Sequence, residues 1–349
     1  MEFFYEYLVF LAEAITIVIA ILVVASAIFA MSQRNVIHDN RGRLRVEKIN
    51  DQLTDIRHAM EEAVLPADQV KKQHKAEAKQ AKKASKSDTQ ADSDEPARRL
   101  FCLRFEGDLK ASAVDHLRAE VSAILTLAKP ADEVVVVVES PGGMVSNYGL
   151  AASQLCRFRD ADISLTVAVD KVAASGGYLM AAVANKIVAA PFALVGSIGV
   201  VAQVPNVHRL LKKNDVDVEV LTAGKHKRTL TLLGENTQEG REKFQEELEE
   251  VHGLFQKFVS QYRPQLDMDV VATGEAWYGT RAIELQLVDE LATSDDYLMR
   301  ACDSADAYNV KWEETKKPLD RLMERVNGIA QQIESAAARF AGNDRNSVA

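Results

Sequence analysis

The sequence predicts an α/β domain on a largely parallel sheet covered on both faces, with an N-terminal transmembrane helix before it and C-terminal helices after it. Three observations lead there. β-branched runs alternate with helix-period segments between residues 100 and 190, the pattern of a sheet with helical crossovers. One run, residues 133–138, holds five consecutive valines, as strands without a wet face do. Residues 8–31 are apolar except for Glu13, Thr16 and Ser26, a length that spans a bilayer.

The apolar run opens on Glu2 and Glu6 rather than on basic residues and is long for a cleavable leader, so it reads as an uncleaved anchor over 8–31. Glu13 then belongs near the interface or against a partner. Arg34, Arg41, Arg43, Arg45 and Lys48 follow the anchor, which by flanking charge puts the C-terminal side in the cytoplasm. Residues 32–65 read as a juxtamembrane helix, with Val46, Ile49, Leu53, Ile56, Met60 and Ala63 at spacings of three and four. Residues 66–99 carry a lysine block and then an acidic one, the composition of a charged flexible linker. Its lysines would meet anionic lipid headgroups if that side is cytoplasmic.

The folded domain is expected over 100–300. Strands are read at 100–105, 133–138, 163–169 and 186–190, and helices at 111–127, after Gly143, and after Ser175. Another strand is read from Val220 into a cationic turn, and a long amphipathic helix over 237–262, stopped by Pro264. A C-terminal helical extension, 301–349, repeats the three-four spacing over 319–340. The 349 residues leave room for one large domain plus appendages. A net charge of −9 argues against nucleic acid as a partner. Cys102, Cys156 and Cys302 form no Cys-x-x-Cys pair, so neither a disulfide framework nor a zinc cage is indicated.

Three strand exits are glycine-rich: Ser140-Pro-Gly-Gly143, Ala174-Ser-Gly-Gly177 and Val195-Gly-Ser-Ile-Gly199. In α/β sheets, sites form where strands end, and three such turns in succession suggest one shared cleft. Ser175 at a helix start suits either an N-cap or a nucleophile beneath backbone N–H groups. Candidate bases are His208 and His226 and the lysines Lys225 and Lys227, crowded together with the cation of Arg228. A lysine acts as a base only when neutral, a form that desolvation and neighbouring cations favour. An exposed basic loop is the competing explanation. Neither a Walker loop nor His-Glu-x-x-His is present, and no metal or nucleotide cofactor is expected.

Together with Ala223-Gly-Lys-His-Lys227, Gly274-Glu-Ala-Trp-Tyr-Gly-Thr-Arg-Ala282 and Gln286-Leu-Val-Asp-Glu-Leu291, these turns resemble the signal peptide peptidase A family in order and spacing. That family consists of membrane-anchored bacterial Ser-Lys proteases with a Clp-protease/crotonase-like core. The resemblance implies Ser175 as nucleophile, Lys227 as general base and Ser197 as the hydroxyl that orients the lysine amine. It also implies Gly143 and Gly176 as oxyanion-hole donors. Lys225 is passed over because the family lysine is the second of the Lys-x-Lys pair. Glu139 departs from the Asp or Asn that relatives often carry before Ser-Pro-Gly-Gly. Implied further are a homo-oligomer, apolar or unfolded polypeptide substrates such as signal-peptide remnants, and an inner-membrane location. The family's habit is periplasmic, against the flanking charge. A crotonase-like acyl-CoA enzyme and a catalytically silent membrane scaffold are the alternatives.

Overall fold

The computed structural model describes residues 42–75 and 98–314. The expected anchor at 8–31, the linker beyond residue 75 up to 97, and the helix at 319–340 lie outside them. Among the described residues, no helix is long and apolar enough to cross a membrane. Residues 44–312 form one compact unit; of the other, residues 1–43 and 313–349, only 42–43 and 313–314 are described.

The elements are β1 (Gly42–Lys48), α1 (Ile49–Val64), α2 (67–75), β2 (Arg99–Glu106), α3 (Val114–Leu125), β3 (Glu133–Glu139), α4 (Val145–Asp160) and β4 (Ser164–Val169). Then come β5 (Val172–Ala174), α5 (Gly176–Ala182), β6 (Lys186–Ala189), β7 (Leu194–Gly196), α6 (His208–Lys213) and α7 (Gln238–Tyr262). The chain closes with α8 (Met268–Val271), β8 (Ala276–Tyr278), α9 (Gly279–Glu284), β9 (Glu290–Leu291), α10 (Ser294–Cys302) and β10 (Asp306–Glu314).

The main sheet has the strand order β1-β10-β2-β3-β4-β6-β9. Every pairing from β10 across to β9 is parallel. The valine run sits at its centre. Val134, Val136 and Val138 pack with Leu103, Phe105 and the α3–α4 layer, whereas Val135 and Val137 pack with Leu100, Cys102, Ala307 and Leu298 of α10. Both faces are dry, so an unbroken apolar run is stable here where alternation would leave polar groups buried. Burial pushes the Cys102 thiol up to about 12, so it serves as a small apolar filler. A second sheet, β5-β7-β8, pairs β5 with β7 in parallel and β7 with β8 antiparallel.

Four stretches differ from expectation. Residues 42–48 form a strand rather than the start of a helix; the alternation of Leu44 and Val46 with charged residues is a strand signal. The C-terminal extension begins as β10, which adds to the sheet beside β2. Residues 220–228 are irregular and exposed, so β-branched composition alone made no strand there. Residues 67–75 are helical at the head of the stretch read as linker.

Candidate active site

The small sheet consists of three-residue strands, and their register decides where the chain emerges from each. Val172, Ala173 and Ala174 pair with Leu194, Val195 and Gly196, so the next residues, Ser175 and Ser197, leave neighbouring strand ends side by side. Both have φ of 52°, a conformation that costs a non-glycine residue about 1–3 kcal/mol and persists only when its surroundings hold it. Ser175 N–H donates to the Gly196 carbonyl at 2.8 Å, and Ser197 N–H donates to the Glu275 carbonyl at 2.6 Å. Ser175 stands at the N-cap position of α5, yet its backbone is not extended and its side chain makes no capping hydrogen bond. Thr237 and Thr293, in contrast, cap their helices with extended backbones and accept from Gly240 and Asp296 N–H. The N-cap explanation therefore fails for Ser175.

The Ser140-Pro-Gly-Gly turn is locked from below. Gly142 N–H donates to Ser140 Oγ at 3.1 Å, Ser140 Oγ and Tyr148 OH are 2.5 Å apart, and Tyr148 OH donates to the Asp108 carbonyl at 2.7 Å. A carbonyl only accepts, so the protons point from Gly142 through Ser140 to Tyr148 and on to Asp108. Burial pushes the Tyr148 phenol above its ordinary value, which keeps it a donor. Its ring also lies against the second turn: a Cβ on Gly176 would stand 2.4 Å from Tyr148 Cγ. One buried tyrosine thus braces two glycine turns. In the sequence Tyr148 shows only as a helix residue, because nothing in an eight-residue separation announces a bond to Ser140. Among the described residues the N–H groups of Gly143 and Gly176 have no hydrogen-bond partner.

Ser175, Ser197, Gly143 and Gly176 all line one cavity of about 980 Å³, walled by apolar side chains including Leu109, Leu179, Val251, Phe255 and Phe258. Such a volume and lining suit a ligand with a large apolar part. The structure does not bring Lys227 there. It is exposed, as are Lys225 and His226; its N–H donates to the Gly224 carbonyl at 3.2 Å, and Lys225 pairs with Glu239 at 3.0 Å. His208 begins α6, away from the lining. The histidine that does line the cavity is His252 on α7, missed because it is distant in sequence from the three turns. Its Nε2 lies 3.2 Å from the Ile198 carbonyl and 3.2 Å from Gln256 Nε2; in the tautomer protonated at Nε2 the ring donates to Ile198 and steadies the Ser197 turn. Glu139 pairs with Lys171 at 2.9 Å.

The late sequence signature has a structural role at the same place. Leu194, Val195 and Gly196 pair with Tyr278, Trp277 and Ala276, so β8 backs the strand that presents Ser197. Gly274 joins the cavity wall.

Residues 2–155 match the profile of Peptidase family S49 N-terminal, and residues 157–307 that of Peptidase family S49. A probable protease SohB of Haemophilus influenzae is 50% identical over 339 residues, covering 95% of this chain and 93% of that protein. A putative protease SohB of Buchnera aphidicola subsp. Baizongia pistaciae is 40% identical over 324 residues, covering 90% and 91%. With such similarity from end to end, and with its glycine turns gathered on one cleft, the chain belongs to peptidase family S49.

Proposed function

We propose that the protein is a membrane-anchored serine endopeptidase that hydrolyses apolar or unfolded polypeptides, signal-peptide remnants among them. Ser175 is the nucleophile. The observation that carries this is its strained, non-capping geometry in the lining of an apolar cavity. Neutral Lys227 takes the hydroxyl proton, Ser175 Oγ bonds to the peptide carbonyl carbon, and the carbonyl oxygen becomes an oxyanion. The unpartnered N–H groups of Gly143 and Gly176 receive that charge, a contribution of about 2.7–4 kcal/mol per donor in comparable sites. Collapse expels the amine with the proton that Lys227 holds. Water, deprotonated by Lys227, then bonds to the acyl carbon, and Ser175 leaves as the hydroxyl with the proton that Lys227 returns. Ser197, brought beside Ser175 by the strand register, orients the lysine amine.

This reading requires the irregular segment around Lys227 to bring its amine to Ser175. The exposed apolar side chains on that stretch, Val201 and Leu221 among them, support assembly with further copies of the chain as the event that seats it. The Clp-protease/crotonase-like core, the anchor at residues 8–31 and an inner-membrane location belong to the same proposal.

Full chain in detergent, given an unfolded protein substrate and a fluorophosphonate probe, tests the proposal. Ser175→Ala is expected to abolish both hydrolysis and labelling. Lys227→Ala should lower kcat at least roughly 1000-fold, with Lys225→Ala near wild type. Unchanged hydrolysis in Ser175→Ala would sink the assignment, and acyl-CoA turnover in its place would favour the crotonase-like alternative.

A further inference from the structure

Away from the cavity, α1 and α2 form a hairpin across Leu65 and Pro66. His58 and Glu61 are one helical turn apart on α1, and His74 faces them from α2. One ligand atom from each of the three lies within 4.8 Å of the others. The imidazole rings of His58 and His74 have centroids 4.2 Å apart. Glu61 Oε2 and His74 Nε2 are both shielded from solvent and lack a hydrogen-bond partner. They lie 3.4 Å apart, an ion-pair distance without hydrogen-bond alignment. The other carboxylate oxygen of Glu61 is 3.8 Å from Arg57 Nε.

Two polar atoms held dry and facing each other unbonded are costly, about 1–3 kcal/mol each. A shared cation removes that cost. Ligands about 2.1 Å from a tetrahedral metal stand about 3.4 Å from one another, the separation already found between Glu61 Oε2 and His74 Nε2. Two imidazoles and one carboxylate are ligands for zinc-class ions; calcium and magnesium favour all-oxygen shells.

We propose that His58, Glu61 and His74 bind one divalent transition-metal ion of the zinc class, with a fourth position left for water or another ligand. The ion ties α2 back onto α1. No cysteine takes part and the spacing is no standard zinc signature, so the sequence alone does not show it. The site is separate from the cavity at Ser175, and its test does not depend on peptidase activity.

Full chain in detergent, stripped with chelator, is titrated with Co²⁺ and then with Zn²⁺ in competition. The expected result is one Co²⁺ per chain with the visible absorption of four-coordinate cobalt, displaced by Zn²⁺. Outer-shell partners of metal sites are worth about 10–100-fold in affinity, so loss of a ligand in His58→Ala or His74→Ala should weaken binding by at least roughly 100-fold. Glu61→Gln, which preserves shape, guards against a folding artefact and should also weaken binding, whereas His208→Ala should not. Absence of binding to the wild-type chain, or less than a tenfold loss in either histidine variant, overturns the proposal.

Discussion

A methyl group on Gly142 would stand 2.7 Å from Ser175 Cβ and 2.8 Å from Gly176 N, and φ there is +91°. Space and backbone conformation both exclude a side chain, so the turn can only move away from Ser175. Gly142→Ala is therefore expected to lower kcat by about 100–1000-fold, the cost of one lost oxyanion donor, with KM little changed. Steady-state kinetics check this. A variant that keeps more than a tenth of the activity would show that the turn does not reach the reacting carbonyl. The glycine was legible as a turn residue in Ser140-Pro-Gly-Gly143. What it leans on was not, because close approach between two loops leaves no trace in the local pattern of either.

Glu120, on α3, shows how an element's packing sets its titration. It is 4% exposed and accepts from Trp312 N–H at 2.7 Å. Desolvation raises its carboxyl above the ordinary value of 4.5, against the lowering by the Trp312 hydrogen bond and by His116 and Lys311. The folded chain then holds this proton more tightly than the unfolded chain. Stability from this group is greatest below the unfolded value and falls as pH rises through the folded one. Glu120→Gln keeps an acceptor and cannot ionise. It should melt about 2–4 °C above wild type at pH 8, with the gap closing toward pH 4, as thermal unfolding at several pH values would show. At the scale of elements, long strands and helices were legible: the valine run, the pattern behind α3 and the stripe of α7 each carry enough residues to show a period. β5, β7 and β8 are three residues each, too short for any periodicity, and they are the strands that place Ser175 and Ser197. The cluster of His58, Glu61 and His74 escaped for another reason, since it exists only once the hairpin closes.

For the whole molecule, the exposed apolar residues matter most. Val201 is 84% exposed and Leu221 89%, and Val204, Val220, Leu232 and Leu233 are exposed along the same stretch. Scattered apolar side chains are common on surfaces, but a concentration of them marks a contact. If assembly covers this stretch and seats Lys227, then Val201→Asp with Leu221→Asp should sediment as a smaller species in detergent. It should lose peptidase activity while its melting temperature stays within about 2 °C of the parent. An assembled and active variant would remove this face from consideration. The three-residue strands carry a consequence for how such a protein can change over time. Insertion of one amino acid in β5 or β7 would turn its serine toward the opposite side of the ribbon, and strands so short have no slack to absorb the shift. Length variation should thus be tolerated in the irregular stretch downstream of Ser197 and be forbidden in the six positions that end at Ala174 and Gly196.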